Sequence, residues 1–171
     1  PKIAEYNRGD NSGTAYFQMN QRRGRRWSAT SAFLRPVQHR TNLTIRTDTL
    51  VERLGFGQED GRQRAHSVVV RTPRDGEQTL RARRGVVLAA GAIGSPAILQ
   101  RSGVGDPGLL QSLGIPVVHA APGVGGNLQD HLQIRTIYRV ANTRTLNTRA
   151  GSLFGKAAMA LEYAIRRTGP L

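Results

Sequence analysis

One stretch constrains the fold more than any other: Gly85 to Gly105, GVVLAAGAIGSPAILQRSGVG. Its apolar opening, Val86 to Ala90, suits a strand buried on both faces. Gly91 interrupts that run. Gly94-Ser95-Pro96 then predicts a helix start, with Ser95 as the cap and Pro96 in the first helical position, where its missing N–H costs nothing. Ala97, Ile98 and Leu99 continue the helix, and Gly103 can end it in the left-handed conformation. A strand feeding a glycine turn and a helix N-terminus gathers backbone N–H groups where an anionic group can sit. The fold class implied is α/β, with α+β character from the strands that precede this stretch.

A chain of 171 residues has room for one ordinary domain with a real core. Its mean hydropathy of -0.41 and 38% hydrophobic content are those of a globular protein, and no apolar run is long enough to span a bilayer. With no cysteine, disulfides and thiolate-held metal are excluded. His39, His66, His119 and His131 do not pair at metal-ligand spacing, so no metal site is expected. The net charge of +14 invites a second reading, a small basic nucleic-acid-binding module. Only Arg22-Arg23-Gly24-Arg25-Arg26 is a compact basic cluster, however, and no aromatic residues interleave with it to stack bases. The reading adopted is therefore no nucleic-acid partner. The chain begins at Pro1 and ends at Gly169-Pro170-Leu171, which suggests an internal piece of a longer protein lacking its N- and C-terminal parts.

The remaining chain predicts the following elements. Thr14 to Met19 reads as a strand, and Ser28 as the cap of a helix that Pro36 stops. Asn42 to Thr47, Leu50-Val51 and Leu54 to Phe56 read as β-runs. A turn at Gly57 to Arg62, a strand at Arg64 to Thr72, a hairpin turn at Arg74 to Glu77 and a strand at Gln78 to Arg84 make an antiparallel excursion. Asp106 caps a second helix with Pro107 in its first turn, Leu109, Leu110 and Leu113 facing the core, and Gly114 closing it. Ile115 to Val118 follows as a strand. Gly123 to Gly126 lets the backbone turn sharply, and Asn127, Gln129 and Asp130 can tie down loop amides through their side chains. From Leu132 the chain alternates as a strand. Residues 151–167 show helical spacing of Leu153, Phe154, Ala157, Ala160, Leu161 and Ala164, ended by Gly169-Pro170. Met159 and Tyr163 are expected to pack in the core rather than line a pocket.

The spelling of the central stretch resembles the second signature of the glucose–methanol–choline (GMC) oxidoreductases. Gly91, Ala92, Ser95-Pro96, Ile98-Leu99 and Ser102-Gly103-Val104-Gly105 meet every constrained position, a match that average composition yields on the order of once in 10⁸. GRRWSATSAFLRP at 24–36, NLTIRTDTLVERL at 42–54 and PGVGGNLQDH at 122–131 are similar to further family segments in the same order. The choline-dehydrogenase-like branch is the most similar.

The resemblance implies a partial FAD-binding, Rossmann-like domain over residues 1–131, with 10–20 read as a strand of the substrate domain, and the start of a substrate-binding domain over 132–171. It implies FAD as cofactor. Val51, through its backbone, and Ala90 and Gly91 are the cofactor-binding residues it suggests, with Ser95, Asn127, Gln129 and Asp130 supporting them. The implied reaction is oxidation of a small alcohol, choline or another primary alcohol, by hydride transfer to the flavin, with oxygen or a quinone as electron acceptor. The family's histidine base lies far downstream, so no catalytic residue is assigned here, and His131 belongs to a different motif. No G-x-G-x-x-G turn for the pyrophosphate occurs near the start of the chain. The isolated piece is therefore expected to be inactive. The parent is expected to be cytoplasmic, with association to a membrane left open.

Overall fold

The computed structural model describes residues 2–6, 9 and 12–169, and the chain divides into two compact units. One is continuous, residues 46–135; the other joins 1–45 to 136–171. The architecture is mixed α/β, as the sequence implied.

The continuous unit is built on a three-stranded antiparallel sheet of β3 (Leu50–Glu59), β4 (Arg62–Thr72) and β5 (Gly76–Arg81), in that order. Asp60 (φ 51°) and Gly61 (φ 72°) form a two-residue reversal between β3 and β4. Positive φ at both positions is the I′ geometry that matches the twist of paired strands. The reversal is tighter than the six-residue turn expected at Gly57 to Arg62, because β-pairing continues to Glu59 opposite Arg62. Val69 and Val70 are buried together with Leu54 and Ser67, so the β4 run supplies the core. The pairing skips Glu52, passing from Val51 opposite Val70 to Arg53 opposite Val69. That irregularity has the form of a β-bulge, which bends the strand and frees backbone groups from the ladder.

After the sheet come α1 (Gly91–Arg101), β6 (Val104–Gly105), α2 (Pro107–Ser112) and β7 (His119–Ala120), with β6 and β7 paired parallel. Two local signals held. Gly103 ends α1 at φ 82°, and a Cβ there would overlap the Pro116 carbonyl oxygen, so only glycine lets the chain pass. Asp106 caps α2 by accepting from the Leu109 N–H at 2.8 Å. Of the three leucines assigned to the core of α2, only Leu110 is fully buried, while Leu109 and Leu113 face outward.

The expected buried strand at Val86–Ala90 does not form. These residues are unpaired and Val87 is 91% exposed. A parallel strand is stable only between neighbours that cover its faces and edges, and none lies beside it among the described residues. Helix α1 also starts earlier than Ser95-Pro96 suggested, at Gly91, which puts Pro96 inside the helix. Pro96 has no N–H to give the Ala92 carbonyl, so that acceptor loses its helical partner. The strand expected at Ile115–Val118 is displaced to His119–Ala120, where β6 offers a pairing edge.

The discontinuous unit contains the hairpin β1 (Gln21–Arg22) and β2 (Arg25–Arg26), a π-helical turn at Thr30–Leu34, α3 (Leu146–Ala150) and α4 (Leu153–Arg166). Ser28 accepts from the Ser31 N–H at 3.3 Å, so it does cap the turn, but the helix is one short segment. Ser152 caps α4 through the Gly155 N–H at 3.0 Å. Left-handed Arg167 (φ 56°) ends it, ahead of Gly169-Pro170, and Pro170 lies outside the described residues. The apolar stripe at Leu153, Phe154 and Leu161 is exposed; Met159 instead is the buried residue of α4. Thr14 to Met19, Asn42 to Thr47 and Leu132 to Val140 are not strands; Thr14 makes one isolated bridge, to Lys2. In each case the letters favour a strand, but among the described residues no neighbouring strand is available to satisfy the backbone.

Candidate functional site

The central stretch still forms a concave site, within the continuous unit. Gly91 opens α1 at φ 83°, and nothing lies within 4 Å of where a Cβ would be. The first N–H groups of a helix have no intrahelical acceptor, so this end presents donors to open space. Ser95 takes one nearby donor, accepting from the Ala90 N–H at 3.0 Å. The serine is therefore not the cap expected at its own position but a brace that bends the chain into the helix.

One side of α1, with Ala92, Ile93, Pro96 and Gln100, faces the loop Gly123–Gln129 across a groove of about 730 Å³. Gln100 joins the two walls: its Nε2 donates to the Val124 carbonyl at 3.1 Å. Gly125 (φ 83°) permits this, because a Cβ there would stand 2.8 Å from Gln100 Nε2. Asn127, left-handed at φ 53°, accepts from Gln129 Nε2 at 3.1 Å, and Asp130 accepts from the His131 N–H at 2.8 Å. The loop is thus held by its own polar side chains, as the sequence suggested for Asp130. Asn127 and Gln129 bind each other rather than loop amides. His131 is exposed.

Val51 lies elsewhere, at the far end of α1, where the helix crosses the bulge of β3. Arg101 Nε donates to the Glu52 carbonyl at 2.8 Å and its Nη2 to the Val51 carbonyl at 3.3 Å. Ser102, buried, accepts from the Leu54 N–H at 2.8 Å and donates to the Ile98 carbonyl at 2.5 Å. Side chains of α1 thereby satisfy an edge that another strand would otherwise have to pair. Glu52 itself is hydrogen-bonded by Arg71 at 2.5 Å, and this bond, with the nearby charges of Arg71, Arg53 and Arg101, holds its carboxyl below the usual carboxylate range.

The suggested residues therefore fall into two groups. Ser95, Asn127 and Gln129 line one groove, Ala90 and Gly91 stand at the start of the helix that walls it, Asp130 follows the loop on its other side, and Val51 lies at the far end of that helix, held by Arg101. Gln100, Arg101 and Ser102 were not assigned roles from sequence. Gln100 is one helical turn beyond Pro96, the spacing that places both on one face, and Ser102 stood within the recognised signature. Arg101 carried no signal, because its partners are backbone carbonyls of a distant strand. No group of three metal-ligating side chains occurs among the described residues, and no described helix is long and apolar enough to cross a membrane.

Comparison with known proteins adds to this geometry. The family model described as GMC oxidoreductase matches residues 2–133. The chain is 36% identical over 170 residues to the human mitochondrial choline dehydrogenase, covering 99% of this chain and 27% of that protein. It is 48% identical over 116 residues to an oxygen-dependent choline dehydrogenase of Pectobacterium carotovorum, covering 68% and 20%. Among solved structures it is similar to an FAD-dependent oxidoreductase from Chaetomium thermophilum, with a TM-score of 0.70 and 27% identity over 85% of this chain and 25% of that one. It is also similar to pyridoxine 4-oxidase from Mesorbium loti, with a TM-score of 0.63 and 35% identity over 71% and 23%. The chain thus spans about a quarter of the length of the relatives it matches.

Proposed function

Because the chain belongs to the GMC oxidoreductase family, we propose that it is a segment of an FAD-dependent enzyme oxidising a small alcohol, choline or another primary alcohol, to the carbonyl. On this reading residues 1–131 contribute to the Rossmann-like FAD-binding domain and 132–171 begin the substrate-binding domain. The observation that carries it is the open start of α1 at Gly91, on the helix that walls the groove, in the stretch whose letters match the family signature.

The residues fit a dinucleotide. Ala90 and Gly91 are exposed, a side chain at 91 would occupy the space in front of the helix N-terminus, and the amides there suit an anionic group. Val51, paired with Val70 and with its carbonyl already accepting from Arg101, would offer only its remaining acceptor capacity at the other end of α1. When bound, FAD supplies the hydride acceptor. The work of this chain is to bind and orient: Ser95 fixes the bend at Ala90, Gln100 holds the Gly123–Gln129 loop against α1, and Arg101 and Ser102 fix the strand that carries Val51. The proton of the alcohol must leave as its hydride does, and the base that takes it is assigned to the family histidine downstream of these residues. Oxygen or a quinone would reoxidise the flavin.

The test is the complete gene product set beside the 171-residue chain. The complete protein is expected to be yellow and to bleach on anaerobic addition of choline or a primary alcohol, and the chain alone to be colourless and inactive. A complete protein without flavin absorbance would overturn the proposal, and a yellow, active 171-residue chain would overturn the division of labour within it.

A further inference from the structure

Charge is shared unevenly between the two units. The discontinuous unit holds 14 of the 25 Lys and Arg residues but only three of the 11 Asp and Glu. Part of that excess converges on one place. Hairpin β1–β2 turns on Arg23 (φ 51°) and Gly24 (φ 70°), the I′ pair again, which sets Arg22 opposite Arg25 and Arg26 opposite Gln21, all three arginines exposed.

The tip is fixed rather than free. Tyr163 Oη on α4 donates to the Gly24 carbonyl at 2.8 Å, and a Cβ at Gly24 would overlap the Arg167 carbonyl oxygen. The Arg167 guanidinium rests 5.4 Å from the Tyr163 ring centre. Between the hairpin and the end of α4 lies a cavity of about 790 Å³ lined by Arg25, Arg26 and Arg167, with Asn20, Trp27 and Ser28, and its wall carries no acidic residue. None of the three arginines makes an ion pair among the described residues, and Glu162, the one carboxylate of α4, is engaged by Arg149 at 3.6 Å. Like charges held close on a rigid frame repel unless an anion sits among them.

We propose that this cavity binds a small phosphate-bearing anion, inorganic phosphate or a phosphomonoester, through Arg25, Arg26 and Arg167. A phosphate has nearly two negative charges and three terminal oxygens to share among several guanidinium forks, whereas a carboxylate has one charge and two oxygens. The ligand is small because the site is concave. It is recognised by its charge and not by a base, because the Arg22 guanidinium already lies over the Trp27 ring at 5.1 Å. The site stands on the other unit from the groove assigned to FAD and does not depend on that reading.

The test is calorimetric titration of the 171-residue chain with inorganic phosphate, with ionic strength held constant by sodium chloride and Trp27 emission followed in parallel. One saturable site is expected, with affinity about tenfold weaker in each of Arg25→Gln, Arg26→Gln and Arg167→Gln, the size of one charge-assisted hydrogen bond. Arg139→Gln, in the same unit and outside the cavity, should bind as the parent does. Heats no larger than those of chloride, or equal weakening by Arg139→Gln, would overturn the proposal in favour of diffuse charge. Vesicles of phosphatidic acid and a single-stranded oligonucleotide form the second arm. Displacement of either by free phosphate supports the same site. Binding of either that persists in the Arg25→Gln/Arg26→Gln/Arg167→Gln variant, with no phosphate site found, would overturn it. A chain that binds phosphate while the complete gene product lacks flavin would separate this inference from the proposed function.

Discussion

The two units use the same residue, arginine, in opposite ways. In the continuous unit arginines are cross-links. Arg71 binds Glu52 at 2.5 Å, Arg53 binds Glu77 at 3.3 Å, Arg64 pairs with Glu59 and donates to the Arg84 carbonyl at 2.9 Å, and Arg101 closes the β3 bulge. In the discontinuous unit the hairpin arginines have no carboxylate within reach among the described residues, and the ring contacts of Arg22 and Arg167 hold their guanidinium groups in place without neutralising them. The core differs in the same sense. Among the described residues, five of the six buried hydrophobic ones, Leu54, Val69, Val70, Ile98 and Leu110, belong to the continuous unit, and Met159 is the single one in the other. The lesson is that net charge says little about a partner until each cation is assigned a neighbour. Paired exposed arginines contribute at most about 1 kcal/mol each to stability, whereas unpaired ones on a fixed frame are free to bind.

Four measurements would break or sharpen this contrast. The largest effect is expected for Leu110→Ala, which empties a fully buried site and should cost about 2–5 kcal/mol in urea unfolding followed by circular dichroism. The sole tryptophan, Trp27, lies in the other unit, so its emission midpoint should stay in place if the units melt separately. Ser102→Ala removes a buried acceptor from the Leu54 N–H and should cost about 1–3 kcal/mol, with faster hydrogen exchange at Leu54 and its β3 neighbours. An unchanged exchange rate there would show that the helix does not pin the strand. Tyr163→Phe deletes the bond to Gly24 and should cost about 0.5–1.5 kcal/mol, read as loss of Trp27 order by fluorescence anisotropy. The smallest effect is that of pH. Glu52 is held below its ordinary value of 4.5, so its contribution is complete at neutral pH and is lost as pH falls through its depressed value. Glu52→Gln should flatten that acid limb of the stability profile and leave the neutral plateau of Trp27 untouched.

Features closed within a few residues were legible in the letters. Asp106 and Pro107 announce α2, Gly103 the end of α1, and Arg74 to Glu77 a hairpin turn, because cap and turn geometries are satisfied by atoms that the local sequence supplies. The family signature was legible for the same reason, as a spelling. Elements whose partners lie far along the chain were misread. Val86–Ala90, Leu132–Val140 and the apolar stripe of α4 have the pattern of buried segments, yet a pattern states only that a surface would gain from being covered. The start of α1 was misplaced because Ser95 and Pro96 each have two uses: the serine braces Ala90 from inside the helix, and the proline is tolerated there at the loss of one hydrogen bond.

Sequence alone determined the family, the Asp106 cap and the Gly103 helix end, and the lack of cysteine. Tertiary structure decided which cations are neutralised, which face of α4 is covered, and how Arg101 and Ser102 complete the edge of β3. The reason is range. A dihedral preference is set by sterics between neighbouring atoms, whereas burial and ion pairing depend on groups brought together from 24 to 50 positions apart, as Arg53–Glu77 and Arg101–Val51 are.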